Sequence, residues 1–233
     1  MAHHPAGGIA ARCFAIALGC LALSGCTSVG VQTGMRHALD YGPRMQLRVC
    51  VLHTPDVKPA RVDALIRAVN DEFADYGIEV VVPWSRPWQR AGFSHERLFD
   101  DIARRELEAP CDRLVAFVDR NAGDALWGLL MPEVLGMVDE ATHTRGYVVA
   151  TRASLNQLFV SPAKATVHEF YHLLGCPHAE SMDACYQRIA ALKQARAEGA
   201  DFVPGVDGEG EFVMTREMAN RTLHLALAGQ PGM

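Results

Sequence analysis

Apolar and polar positions alternate with a period of two over residues 46–52 (QLRVCVL), as in a strand with one face turned inward. Pro59 suits a first helical position, and Val62, Leu65, Ile66, Val69, Phe73 and Tyr76 then recur at helical spacing until Gly77 ends the run. Residues 78–83 (IEVVVP) predict a second strand, and 84–93, with Pro87 and Gly92, a loop. Ser94 caps a short helix that turns Leu98, Phe99, Ile102 and Leu107 inward. Residues 113–119 (RLVAFVD) form a nearly continuous apolar run, which suits a parallel strand buried on both faces. Two further strands are expected, one over 146–151 and one within 126–138, where Pro132 and the glycines demote it to a sheet edge. Ser161 and Pro162 open a helix, a second helical pattern covers 183–197, and an acidic, Gly-rich stretch over 199–210 predicts a loop. A closing helix over 218–227 places Leu223 and Leu227 inward.

The order is strand, helix, four strands with a short helix among them, then a helix. It defines an α/β (α+β) class with five strands. With 233 residues the chain fits one domain or a small pair, and 49% hydrophobic residues supply a full core. A formal net charge of −5 is mild and implies no nucleic-acid-binding surface.

Chemistry concentrates at residues 166–178, TVHEFYHLLGCPH, which carry H-E-x-x-H-x-x-G-x-x-H at His168, Glu169, His172, Gly175 and His178. Residues four apart share a helix face, so His168 and His172 can aim two imidazoles at one point. Glu169 lies about 100° round the helix, near enough to reach a water held there without being a ligand. Gly175 can adopt a left-handed conformation that ends the helix and brings His178 back as a third nitrogen donor. Three protein donors and one water make the open arrangement of a catalytic zinc site, so one Zn2+ is the expected cofactor.

This run resembles the zinc signature of the metzincin clan of metallopeptidases. The resemblance implies a twisted, mostly parallel five-stranded sheet with an antiparallel edge strand, a zinc helix and a small irregular C-terminal subdomain. It implies that His168, His172 and His178 bind zinc, that Glu169 is the general base, and that a later methionine turns beneath the metal. Met214, in an apolar stretch leading into the last helix, is favoured for that turn over Met182, which follows His178 too closely. Arg216 stands where some clan members place a metal-binding Tyr, so a fifth ligand is not expected. The edge strand of the clan borders the substrate cleft, which makes Trp127 and Gly128 candidates for a substrate-binding edge. An upper subdomain over 46–178 and a C-terminal one over 179–233 follow, with 182–213 a candidate lid.

Residues 1–25 stand outside the fold. Arg12 precedes an apolar run over 13–23 that is too short to span a bilayer, and Leu23-Ser24-Gly25-Cys26 resembles a bacterial lipobox with Cys26 as the lipidated residue. Residues 26–45 predict a tether, and Thr27 leans toward the outer membrane rather than the inner one. Lipid anchorage in the cell envelope, and a bilayer as partner, follow as expectations. Cys50, Cys111, Cys176 and Cys185 remain, an even set that suits two disulfides in an oxidising compartment. Cys176 with Cys185 would clamp the loop of His178, and Cys50 with Cys111 would tie the first strand to the third, but four cysteines allow three pairings.

The expected activity is endopeptidase hydrolysis of a peptide or protein substrate by a zinc-activated water. The alternatives are a membrane-tethered zinc-binding protein without peptidase activity and a zinc amidase acting on cell-wall peptides. The sequence leaves the oligomeric state open.

Overall fold

The computed structural model describes residues 32–120, 134–151, 160–178, 181–206 and 210–228. Strands β1 (Met45–His53), β2 (Ile78–Val81), β3 (Ser85–Pro87), β4 (Arg113–Val118), β5 (Gly136–Val138) and β6 (Arg145–Val149) form one sheet. Its order is β2-β1-β4-β6-β5, with β3 also on β1. All pairs are parallel except β5 with β6, so β5 is an antiparallel edge. This is the mostly parallel α/β sheet with an antiparallel edge that the resemblance implies.

Alternation along β1 divides the interior. Leu47, Val49 and Val51 face one core, with Leu65, Val69 and Phe73 of α1 (Pro59–Phe73) and Phe170 and Tyr171 of α3 (Pro162–Leu173). Cys50 and Leu52 face the other core, with Leu98 and Ile102 of α2 (His95–Ala103). β4 is buried along its whole length, which explains its continuous apolar run. Burying one such Val, Leu or Phe side chain contributes about 1.5–3 kcal/mol, so the sheet is held from both faces.

Four expectations need correction. The 84–93 stretch is not loop throughout. β2 pairs only Met45–Arg48 of β1, leaving the far half of that edge open, and Ser85–Pro87 pairs with Val51–His53 there. The 199–210 stretch holds half of a hairpin, β7 (Gly205–Val206) against β8 (Phe212–Val213). A tether running to residue 45 is too long. From Thr33 the chain is docked on the body, with Arg36 buried between Glu72 (3.2 Å) and Asp75 (3.1 Å) and its guanidinium over the Tyr76 ring. The candidate lid is core: α4 (Met182–Ala197) buries Tyr186, Ile189 and Leu192 in the same cluster as Phe73 and Tyr171. Its apolar face has more to gain there than over an open cleft.

Two disulfides form, Cys50–Cys111 between β1 and the approach to β4, and Cys176–Cys185 between the end of the His172 helix and α4. The last helix, α5 (Arg216–Ala228), buries Ala219 and Leu223, while Leu227 is half-buried. Among the described residues no helix is long and apolar enough to cross a membrane. Cys26, the 1–25 segment, Trp127 and Gly128 lie outside the described residues.

Candidate metal centre

The site is built on α3. Ser161 caps its start by accepting from Lys164 N–H (3.2 Å), and Pro162 occupies the first turn, where its missing N–H costs no bond. The helix ends in a reciprocal turn: Gly175 N–H donates to the His172 carbonyl (2.8 Å) and Cys176 N–H to the Tyr171 carbonyl (3.1 Å). Gly175 takes φ +86°, and a Cβ there would also press on Val206 Cγ2 at 2.9 Å. The motif's glycine is required by both backbone and space.

That turn returns His178 to the helix. The candidate donor atoms of His168, His172 and His178 all lie within 4.8 Å of one another. Nε2 of His168 and His172 are 3.0 Å apart, and the His178 ring centroid is 4.0 Å from that of His172. Nitrogens on one tetrahedral zinc stand roughly 3.4 Å apart, so the donor set fits that ion with small adjustment. Among the described residues the group has three donors, one fewer than closed structural zinc sites use.

His172 is the most constrained of the three. It is 3% exposed, and its Nδ1–H donates to the Cys176 carbonyl, which leaves Nε2 with its lone pair toward the other rings. Burial lowers its pKa to about 3, so the ring is neutral as a ligand must be. Its carbonyl also accepts from Nδ1–H of His143 at 2.7 Å. His143 is itself buried, at φ +55°, in the turn between β5 and β6. The buried Asp139 carboxylate shapes that turn, accepting from the N–H groups of Thr142, His143, Thr144 and Arg145 and from the Thr142 hydroxyl. Burial lowers the His143 pKa, against the nearby Asp139.

Glu169 follows His168 and is 7% exposed; burial pushes its pKa up to about 8. Its side chain lies against the backbone of β5 at Gly136. Behind the helix, fully buried Arg113 donates to the carbonyls of Leu173 (2.7 Å), Val203 (2.8 Å) and Pro204 (2.7 Å). Burial lowers its pKa to about 10, so it stays charged at neutral pH.

The structure thus gathers His168, His172 and His178 into one site, with Glu169 buried on the adjacent helix position against β5, and ties the His178 loop through Cys176–Cys185. The methionines are placed otherwise than expected. Met214 is 42% exposed just after β8, a poor fit to packing beneath a metal, whereas Met182 is buried at the start of α4. Arg216 is held by the Cys111 carbonyl (2.8 Å) and stacks over Phe202, so it is committed to the other core. His143, Asp139, Gly136 and Arg113 escaped the sequence, since each acts through contacts with residues far along the chain.

No family model matches the chain, and no curated protein matches it. Among solved structures it is similar to the crystal structure of archaemetzincin from Methanopyrus kandleri. The two share 16% identity over 72% of this chain and 99% of that one, with a TM-score of 0.42.

Proposed function

We propose that the chain is a zinc-dependent peptidase that hydrolyses peptide bonds of a peptide or protein substrate. One observation supports this above others: three imidazoles converge within bonding reach of a single ion, with a buried carboxylate on the adjacent residue of the same helix. Zinc, when bound by His168, His172 and His178, supplies a Lewis acid that acidifies water and polarises a carbonyl. Glu169, which burial alone would keep protonated, would be ionised by the charge of a bound ion and could then accept the proton of the attacking water and pass it to the leaving amine. His172, fixed at Nδ1 and at its carbonyl, holds its ring in register for the ion. A purely structural zinc site would need no such carboxylate and would close on four protein ligands.

Export as an envelope lipoprotein belongs to the same proposal, supported by the lipobox at Cys26 and by two disulfides, which persist in oxidising compartments.

The test is zinc content and hydrolysis of a broad peptide library by the full chain and by Glu169→Ala. One zinc in both, with cleavage lost only in the variant by roughly 10²–10⁴-fold, is the expected outcome. Zinc in both and cleavage by neither would support a binding protein, and cleavage of cell-wall peptides alone an amidase. Mass analysis of the protein recovered from bacterial envelopes addresses the anchor: an acylated Cys26 terminus is expected, and an unmodified terminus elsewhere rules it out.

A further inference from the structure

We propose that Gly136, on the edge strand β5, is a positioning residue for Glu169: its missing side chain is the space in which the carboxylate stands. A Cβ built on Gly136 would lie 2.5 Å from Glu169 Cγ, 2.6 Å from Cδ and 2.7 Å from Oε1. All three are well inside van der Waals contact, so an alanine here and the present Glu169 conformation exclude each other.

The strand is the less able to yield. Gly136 pairs with Val148 of β6, and next to it Val149 N–H donates to the Leu135 carbonyl at 2.9 Å. The hairpin is tight throughout, since Gly146 admits no Cβ either, its neighbour being the Met137 carbonyl at 2.6 Å. At the turn, the Asp139 carboxylate fixes the backbone of His143, and the bond from His143 to the His172 carbonyl ties the hairpin to α3. The helix cannot withdraw without dragging its histidines. The side chain of Glu169, with three rotatable bonds, is what moves.

The consequence is a separation of roles. His168, His172 and His178 hold the ion from the helix and its turn, while the opposite strand sets where the base stands. This assignment rests on Glu169 being the base, yet its geometric part is testable without that.

The experiment is Gly136→Ala in the full chain, read three ways. A crystal structure of the variant is expected to show the Glu169 carboxyl displaced by about 1 Å or more with the three imidazoles in place; an unmoved Glu169 with a shifted strand overturns the proposal. Zinc content is expected to stay at one per chain while kcat falls about 100-fold and KM stays within about twofold, the effect of a misplaced group. Unchanged kcat overturns it. In a Glu169→Ala background, which lacks the Cγ, Cδ and Oε1 that the Cβ would meet, Gly136→Ala is expected to lower the unfolding stability by less than it does in the parent chain. An equal fall in both backgrounds shows that the glycine serves only the strand. If Gly136→Ala fails to fold, the Gly136→Ala, Glu169→Ala double variant is expected to fold, and its failure overturns the proposal. Should the parent chain cleave nothing, the peptidase reading fails while the crystal structure still decides the role of Gly136.

Discussion

His172 and His178 are six residues apart in the chain and 4.0 Å apart between ring centroids, yet they are held by opposite means. His172 sits inside the protein, 3% exposed, with its ring bonded to the Cys176 carbonyl and its own carbonyl to Gly175 and His143. His178 is exposed, and the chain on either side fixes it: the left-handed Gly175, the Cys176–Cys185 bond, and the Ser181 cap of α4. One donor is placed by hydrogen bonds to its side chain, the other by the path of its backbone. A donor of the first kind is part of the fold's stability, whereas one of the second kind can be removed with little cost to the fold.

Substitution of each histidine is the largest test of that contrast. His172→Ala and His178→Ala should both abolish stoichiometric zinc and hydrolysis. Only His172→Ala should also destabilise the metal-free protein, by about 1–3 kcal/mol for the polar group left unpaired, while His178→Ala should stay within about 0.5 kcal/mol. Urea unfolding of the apo proteins measures this, and equal losses would erase the distinction. Next in size is Cys176→Ser with Cys185→Ser. The bridge closes a separation of nine residues, so its loss should cost roughly 3 kcal/mol and weaken zinc binding through His178. Competition with a chelator reads the affinity, and an undiminished affinity would mean the turn alone places that ring. The smallest effect is expected of His143→Ala, about a tenfold loss of zinc affinity through the reorientation of His172. No change would show that the Cys176 carbonyl suffices.

The sequence made the donor set legible because all of it lies between His168 and His178, where helix geometry and one glycine dictate the convergence. The frame of that set was not legible. His143 reaches His172 across 29 positions, and nothing local in the run DEATHTR marks it as other than a polar loop. The same limit applied to the fold. β1, β4 and α1 carry enough repeats to show their period, but β3, β7 and β8 span two or three residues and exist because a neighbouring edge accepts them. The Arg36 dock gave no signal either, since its partners Glu72 and Asp75 lie more than thirty positions away in a different element. The core face of α4 was not legible for the same reason, since Phe73 and Tyr171, which share its cluster, belong to other elements.

Arg113 has a consequence for the timing of assembly during synthesis. A chain growing from its N-terminus carries the entire histidine run once His178 is made, but two of the carbonyls that accept from Arg113 belong to Val203 and Pro204, 90 and 91 positions beyond it. Until these arrive, the guanidinium beneath Leu173 cannot be buried without leaving donors unpaired, and the helix end that carries His172 has no finished floor. The donors are therefore written early and seated late. A fragment ending soon after the motif would contain every donor and still lack the bed on which they close.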